Sequence, residues 1–235
     1  MPEAEPLRQF EIKNLDILTE LLKTKKQPFP VICIGGLSAS GKTTFANELV
    51  RQMPQLASVT LFDLDMALFC RFIRDEQWME TIGRKDGYDW FRHQKAEGMI
   101  SKWLKAKAEG EEKVVYTNVY SYDKGGQQTY LPQAEVMIDN GLLVVGWAAV
   151  RPGIMAVMRK QGIQPVNVII ETSFDEGLER IQTRAASMNS NAAAQKENFI
   201  KIHSPSWQNF YKTIANLVDL TAWSSNNSFD IRTKS

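Results

Sequence analysis

A short segment framed by two glycines is the feature that most constrains how this chain can fold. Residues 36–43 read GLSASGKT and match the pattern G-x-x-x-x-G-K-[ST] at every fixed position. The glycines let the backbone turn tightly, so that consecutive N–H groups can point at one anion. In this pattern the lysine reaches the outer phosphates of a nucleotide and the last hydroxyl binds Mg²⁺. The segment therefore predicts a phosphate-binding loop, called the P-loop below.

The flanks of the loop support this interpretation. Residues 29–34 form an apolar run, as expected for a buried parallel strand. Residues 43–53 then place Phe45, Leu49 and Val50 on one helical face. Phosphates would lie at the N-terminus of that helix, where unpaired N–H groups and the helix dipole favour negative charge. The predicted nucleotide-binding residues of the loop are Gly36, Ser38, Ala39, Ser40, Gly41, Lys42, Thr43 and Thr44.

Composition excludes several classes of protein. A formal net charge of +1 argues against a general attraction to nucleic acid or to an anionic membrane. Two cysteines provide neither a disulfide framework nor a zinc ligand set. We expect no signal peptide, because residues 1–9 are acidic and polar, and no apolar run approaches the ~20 residues that span a bilayer. We therefore expect a cytoplasmic protein that binds neither nucleic acid nor membrane, with homo-oligomerisation left open.

Strand and helix patterns alternate along the chain. Apolar segments at 59–62, 114–116, 142–145 and 166–170 follow the P-loop unit, and helical patterns lie between them. This alternation predicts an α/β fold of the P-loop three-layer type, with about five mostly parallel strands, helices on both faces and a helical lid. Ligands in such sheets bind at the carboxyl ends of the strands.

The predicted organisation is one main domain with two long insertions. The parts are an N-terminal arm and helix at 1–28, the P-loop domain at 29–223, and a tail at 224–235, in which residues 224–228 are typical of a loop. Within the domain, 66–112 forms a substrate-side insertion and 185–205 a lid region. Insertions of this length beside a site often serve as lids or substrate loops.

These features favour a small-molecule kinase among P-loop proteins. A GTPase needs a base-reading Asn-Lys-x-Asp segment, and the sequence has none. Large motor and transporter ATPases need a longer chain. Phosphoryl transfer depends mostly on positioning and charge neutralisation, and insertions can exclude water from it.

Several blocks of sequence, in order, resemble the uridine kinase-like family of P-loop kinases, which includes phosphoribulokinase and nicotinamide riboside kinase relatives. After the P-loop these are LFDLD at 61–65, DGYDW at 86–90, YSYD at 120–123, VVGWAAVRP at 144–152 and L-x-R-x-x-x-R at 178–184. The resemblance covers roughly residues 30–220. It implies that ATP and Mg²⁺ are used to phosphorylate a hydroxyl of a small molecule, of which a nucleoside or sugar-like acceptor is the favoured class.

The resemblance also implies roles for acidic residues after the second strand. It assigns this region to Mg²⁺ organisation and to the base that accepts the hydroxyl proton, so Asp63 and Asp65 join Lys42 as candidate catalytic residues. Thr43 and Asp63 are the candidate metal ligands. The division of roles between the two aspartates stays open. Their Asp-x-Asp spacing is also similar to shikimate kinase-like enzymes, which keeps another acceptor class open.

Substrate and nucleotide contacts are expected from three further blocks. Carboxylates accept hydrogen bonds from adjacent hydroxyls, and an aromatic ring can pack on a sugar or a base. Guanidinium groups one helical turn apart can clamp phosphates or stack on adenine. The candidate substrate residues are Asp86, Tyr88, Asp89, Tyr122 and Asp123, and the candidate nucleotide-binding arginines are Arg180 and Arg184. The alternative interpretations are loop or helix-cap residues and a solvated basic helix face.

Two departures from the family bear on activity. The family usually ends its fourth strand with Glu-Gly, where the glutamate helps to hold Mg²⁺, and this chain has Val145 there. The family's lid usually carries arginines, whereas Lys196 is the only cation in 187–198. Either Asp63, Asp65 or Glu171 compensates, or the protein binds nucleotide with little turnover as a regulatory module. Histidines 93 and 203 are isolated in the sequence and suggest no metal site.

Overall fold

The computed structural model describes residues 9–25, 27–67, 93–122, 128–187, 191–225 and 227–234. The strands are β1 (Glu11–Lys13), β2 (Val31–Gly36), β3 (Thr60–Asp63), β4 (Lys113–Tyr122), β5 (Gln128–Met137), β6 (Leu142–Val145), β7 (Val166–Glu171), β8 (Leu220–Ser225) and β9 (Ser228–Thr233). The α-helices are α1 (Leu15–Thr24), α2 (Lys42–Gln52), α3 (His93–Glu109), α4 (Pro152–Lys160), α5 (Phe174–Ser187), α6 (Ala192–Asn198) and α7 (Ser204–Ile214).

A seven-stranded sheet organises the fold. Its strand order is β1-β9-β8-β7-β2-β6-β3. The strands from β8 to β3 in that order are all parallel, whereas β9 runs antiparallel to β8 and β1 runs parallel to β9. The predicted α/β P-loop fold is therefore confirmed, with two more strands in the main sheet than the expected five.

Two apolar cores cover the two faces of this sheet. On β2, Val31 and Cys33 face a core shared with α3, α4 and α7. The alternate residues Ile32 and Ile34 face a second core shared with α1 and α2. Every residue of β2 is buried, because helices cover both faces. This double burial explains why the central strands read as continuous apolar runs.

The structure corrects the expected third strand. Residues 114–116 lie in β4, which pairs antiparallel with β5 in a separate two-stranded sheet. Val114, Tyr116 and Val119 pack this hairpin against the first core. A three-residue apolar run carries no information about which strand it will pair with, so the sequence could not separate this hairpin from the parallel sheet. The fifth parallel strand of the main sheet is instead β8, which pairs with β7.

The C-terminal tail contains a hairpin that the sequence analysis does not predict. Strands β8 and β9 form an antiparallel hairpin whose register runs from Leu220↔Thr233 to Ser225↔Ser228. Phe229 and Ile231 alternate into the second core, whereas Ser225 and Ser228 from the predicted loop form the last pair of the hairpin. The hairpin also captures the N-terminal arm, because Glu11–Lys13 pairs with β9 as strand β1.

Other expectations agree with the described elements. The leading amphipathic helix is α1, and the helical pattern at 174–186 is α5. The lid region contains α6, whose first turn is capped by Asn191 through its side chain. Residues 68–92 of the expected substrate-side insertion lie outside the described residues. Among the helices that are described, none has the length and apolar character needed to cross a membrane.

Truncation of one hairpin residue tests how far the tail contributes to stability. Phe229 is 1% exposed, and its ring lies 5.1 Å from that of Phe45. We expect Phe229→Ala to lower the free energy of unfolding by about 3–5 kcal/mol, the usual cost of removing a buried phenyl ring. Urea denaturation followed by circular dichroism measures this. The matched control is Phe174→Ala, whose ring is 44% exposed. Equal losses in both variants would show that the tail does not belong to the core.

Candidate functional site

The P-loop connects β2 to α2 at the carboxyl edge of the parallel sheet. Its turn is closed by a hydrogen bond from the Ser40 N–H to the Leu37 carbonyl at 3.1 Å. Helix α2 begins at Lys42, and the Phe45 N–H donates to the Gly41 carbonyl at 2.8 Å. The first-turn N–H groups of α2 therefore face the loop, as an anion site at a helix N-terminus requires.

The two glycines of the motif are favoured for different reasons, a close backbone contact at Gly36 and a left-handed backbone conformation at Gly41. A Cβ atom on Gly36 would lie 2.6 Å from the Ile170 carbonyl oxygen and 2.7 Å from Ser40 Oγ. Gly41 has a φ of +96°, and a Cβ there would lie 3.2 Å from the ring of Phe229. A side chain at Gly36 would therefore push the loop away from β7, whereas one at Gly41 would strain the backbone and crowd the Phe229 ring.

Lys42 lies within the electrostatic field of both candidate acids. Its Nζ donates to the Leu37 carbonyl at 2.7 Å, so the side chain folds back over the loop. Burial lowers the pKa of Lys42 to about 8, against the opposing effect of Asp65 and Asp63. The positive charge of Arg184 lowers this pKa further. The charges of both aspartates and of this arginine therefore act on Lys42.

The two aspartates follow the end of β3. Asp63 is its last residue, and the Asp65 N–H donates to Asp63 Oδ1 at 2.9 Å in the 3₁₀ turn Leu64–Ala67. Burial, with repulsion from Asp65, raises the pKa of Asp63 to about 7, although that hydrogen bond and Lys42 oppose the shift. A carboxyl group with this pKa can both release and accept a proton near neutral pH.

Val145 occupies the position where the resembling family carries a glutamate. It ends β6 in register between Ile34 of β2 and Asp63 of β3, and it is 3% exposed in the second apolar core. Asp63 is therefore on the strand directly beside it. Glu171, the third candidate for compensation, ends β7 on the opposite side of β2. Burial raises the pKa of Glu171, and its charge interacts with Arg232 and Tyr211.

The two predicted arginines share helix α5, but their surroundings differ. Arg180 donates through Nη1 to the carbonyls of Ala39 at 3.4 Å and Ser40 at 3.3 Å, and to Ser224 Oγ at 3.0 Å. Its Nη2 contacts Glu176 Oε1 at 2.5 Å. Arg180 therefore braces the outside of the P-loop. Arg184, one turn later, is exposed and is the arginine whose charge acts on Lys42.

Peptide geometry gives the Arg180 contact a consequence for the loop. The C=O and N–H of one planar trans peptide point in opposite directions. Because the Ser40 carbonyl accepts from Arg180, the N–H of Gly41 points to the other side of the loop. The brace thus helps to orient a donor of the anion site.

Three contributors to the site were missed by sequence reasoning. His203 lies with Nδ1 2.8 Å from Ser38 Oγ, although it was interpreted as isolated. Ser224 and Phe229, both in the C-terminal tail, contact Arg180 and the Gly41 position. These contacts join residues that are far apart in the chain, so no local sequence motif predicts them.

Most of the predicted substrate residues lie outside the part of the chain that the structure describes. Asp86, Tyr88, Asp89 and Asp123 are outside the described residues, so their assignment stays a prediction. Tyr122 is the last residue of β4, where its backbone pairs with Gln128. Its proposed substrate contact also stays a prediction.

The oxygen donors around Lys42 fit a magnesium ion bound together with phosphates. Within the described ranges, no group of three or more His, Cys, Asp or Glu side chains could hold a metal ion alone. Mg²⁺ usually needs only one or two carboxylates, because phosphates and waters complete its shell. Thr43 is exposed at the start of α2, and a cation would relieve the repulsion between Asp63 and Asp65.

The fold and the loop together define a P-loop α/β protein. The sequence profile of the AAA domain family matches residues 31–204, and the chain belongs to that family. A search among curated proteins finds no significantly similar sequence.

Solved structures share the fold at low sequence identity. A candidate fructose transport system kinase from Silicibacter sp. TM1040 is 15% identical, with a TM-score of 0.59 over 83% of this chain and 94% of its own. A possible uridine kinase from Bacillus stearothermophilus is 18% identical, with a TM-score of 0.55 over 88% and 97%. The YGR205w protein is 13% identical, with a TM-score of 0.52 over 94% and 95%. The expected resemblance to uridine kinase-like enzymes is therefore confirmed at the level of fold.

The raised pKa of Asp63 predicts a pH dependence of stability. The folded protein keeps this proton up to about pH 7, whereas the unfolded chain releases it near pH 4. The free energy of unfolding should therefore fall as the pH rises from about 4 to about 7. Asp63→Asn should remove this part of the slope and should stabilise the protein at pH 8. Urea titrations between pH 5 and 8, in EDTA and without nucleotide, measure both effects.

The matched control for this experiment is Asp175→Asn. Asp175 is exposed in the first turn of α5, so its variant should keep the wild-type slope. An Asp63→Asn variant with the wild-type slope would contradict the assignment of the shift to this carboxyl group.

Proposed function

We propose that the protein transfers the γ-phosphoryl group of ATP to a hydroxyl of a small molecule, with a nucleoside or sugar-like acceptor as the favoured class. The observation that carries the proposal is that Asp63 and Asp65, which follow the end of β3, interact electrostatically with Lys42 of the P-loop. A structural P-loop turn would not need two acids beside its lysine. Kinases among the structures of similar fold support the same reaction class.

Lys42 and the loop amides act on the outer phosphates in this proposal. The ammonium, held by the Leu37 carbonyl without ligand, exchanges that contact for phosphate oxygens. Phosphate charge then raises the pKa of Lys42 from its lowered value of about 8 and keeps the side chain protonated. The lysine and the amides stabilise negative charge on the transferring group without reorganisation.

The hydroxyl side of the reaction falls to the aspartates. Thr43 and Asp63 are the proposed ligands of Mg²⁺, which supplies charge neutralisation on the phosphates when bound. The acid that does not hold the metal accepts the proton of the attacking hydroxyl. The near-neutral pKa of Asp63 also suits the role of base. A comparison of Asp63 and Asp65 variants is therefore needed to assign the metal ligand and the base.

A second function is favoured by Val145. An apolar side chain buried at the end of β6 cannot hold a metal ion, and a lost transition-state charge contact can cost several kcal/mol. Under this alternative the protein binds nucleotide as a regulatory module with little turnover. Asp63 lies on the neighbouring strand in register with Val145, which favours compensation and thus the kinase.

Nucleotide binding and acceptor-stimulated turnover separate the two functions. We expect calorimetry to detect Mg·ATP binding, and ADP release to rise with at least one acceptor in a panel of nucleosides, sugars and polyhydroxy carboxylic acids. Lys42→Ala should remove binding while the ligand-free melting temperature stays within a few degrees, because the buried ammonium carries a desolvation cost.

The outcomes of this panel are distinct. Tight Mg·ATP binding without acceptor-stimulated ADP release would favour the regulatory alternative over the kinase for that panel. No binding of ATP or GTP would contradict both functions. A large loss of melting temperature in Lys42→Ala would show that the lysine is structural.

The two aspartates should differ in which kinetic parameter they control. Removal of the metal ligand should raise the Mg²⁺ concentration needed for half-maximal rate, whereas removal of the base should lower kcat by about 10²–10⁴-fold at saturating Mg²⁺. Asp63→Asn and Asp65→Asn are compared in initial-rate assays, with Asp175→Asn as control. Unchanged kinetics in both variants would contradict the proposed role of the pair.

A further inference from the structure

The least expected contact of the site joins the P-loop to the C-terminal end of the lid region. Ser38 lies in the middle of the loop, and its Oγ is 2.8 Å from Nδ1 of His203. The residues are 165 positions apart, and both are partly buried. The two ends of the lid region thus converge on the loop, because Arg180 lies just before it and His203 near its end.

A π-helical turn sets the position of His203. Residues Phe199–His203 form this turn between α6 and α7. Phe199 is fully buried, with its ring 5.4 Å from that of Phe174 and close to Gly177 on α5. The side chain anchors the turn to the helix that carries Arg180. Single π turns inside helical segments are frequent at functional sites.

The contacts hold successive parts of the loop. The Ile170 carbonyl limits its start at Gly36, Arg180 holds the carbonyls of Ala39 and Ser40, and Phe229 limits its end at Gly41. Ser38 lies between these positions, and His203 is the side chain that holds it. A loop already held in its binding conformation loses less entropy when phosphate arrives.

We infer that His203 is a positioning residue for nucleotide binding, which holds the Ser38 side chain and thereby preorganises the P-loop. This inference rests on the proposed nucleotide-binding function. It assigns His203 no contact with the reacting atoms, so its effect should appear in affinity rather than in the fold. It also predicts which ring nitrogen matters, because the contact is made through Nδ1.

Conservative variants test this atom by atom. The side-chain amide of Asn can replace Nδ1, whereas that of Gln reaches the position of Nε2. We expect His203→Ala and His203→Gln to weaken ADP binding by about three- to tenfold, the usual worth of one such hydrogen bond. His203→Asn should retain most of the wild-type affinity. Calorimetric titration with ADP measures the affinities, and the melting temperature without ligand confirms folding.

A double-variant cycle tests the pair. Ser38→Ala should lose as much affinity as His203→Ala, and the double variant should lose no more than either alone. Lys201→Ala is the control, since this exposed residue pairs with Glu197 on the same turn of chain and should leave ADP affinity unchanged.

The outcomes separate this inference from the function on which it rests. Three results would each contradict the role of His203 and leave the proposed function intact. They are wild-type affinity in His203→Ala, equal losses in His203→Asn and His203→Gln, and additive losses in the double variant. A wild-type protein that binds no ADP would overturn the proposed function and this inference with it.

Discussion

The close approach of the P-loop backbone to its neighbours is the constraint on which the site depends. Gly36 lies so near the Ile170 carbonyl that no side chain fits between them, and Gly41 combines a left-handed φ with a close contact to the Phe229 ring. The loop is therefore shaped by β7 on one side and by the C-terminal hairpin on the other. Because the hairpin also pairs with the N-terminal strand β1, both ends of the described chain support the phosphate site.

The charged groups around the P-loop are arranged in a way that suits the binding of charged ligands. Lys42 is buried enough to lose affinity for its proton, while Asp63 is buried beside a second acid and gains affinity for one. Both shifts disfavour the charged form, so the ligand-free protein carries an electrostatic cost near neutral pH. Phosphates would stabilise the ammonium, and a divalent cation would stabilise the carboxylates. The arrangement is therefore more useful for binding than for stability.

Sequence reasoning succeeded where the determining interactions are local. The P-loop, helix α1 and the shared face of Arg180 and Arg184 follow from spacing within one element. It failed where pairing between distant segments decides the structure. The apolar run in β4 does not indicate that β5 is its partner. The polar residues 224–228 suggested a loop, so the strand that carries Phe229 and Ile231 was not predicted. The Ser38–His203 contact depends on a π turn that no pattern predicts.

The replacement of the fourth-strand glutamate by Val145 acquires a physical meaning from the sheet register. The carboxyl ends of β6 and β3 are neighbours, and Asp63 is paired with Val145 in that register. Although β6 has no carboxylate at its end, Asp63 on the neighbouring strand β3 is therefore only one strand spacing away at the same edge of the sheet. Glu171 is separated from Val145 by β2 and interacts with Arg232 instead. If the site turns over ATP, we therefore expect compensation from the β3 aspartates, whose charges already act on Lys42.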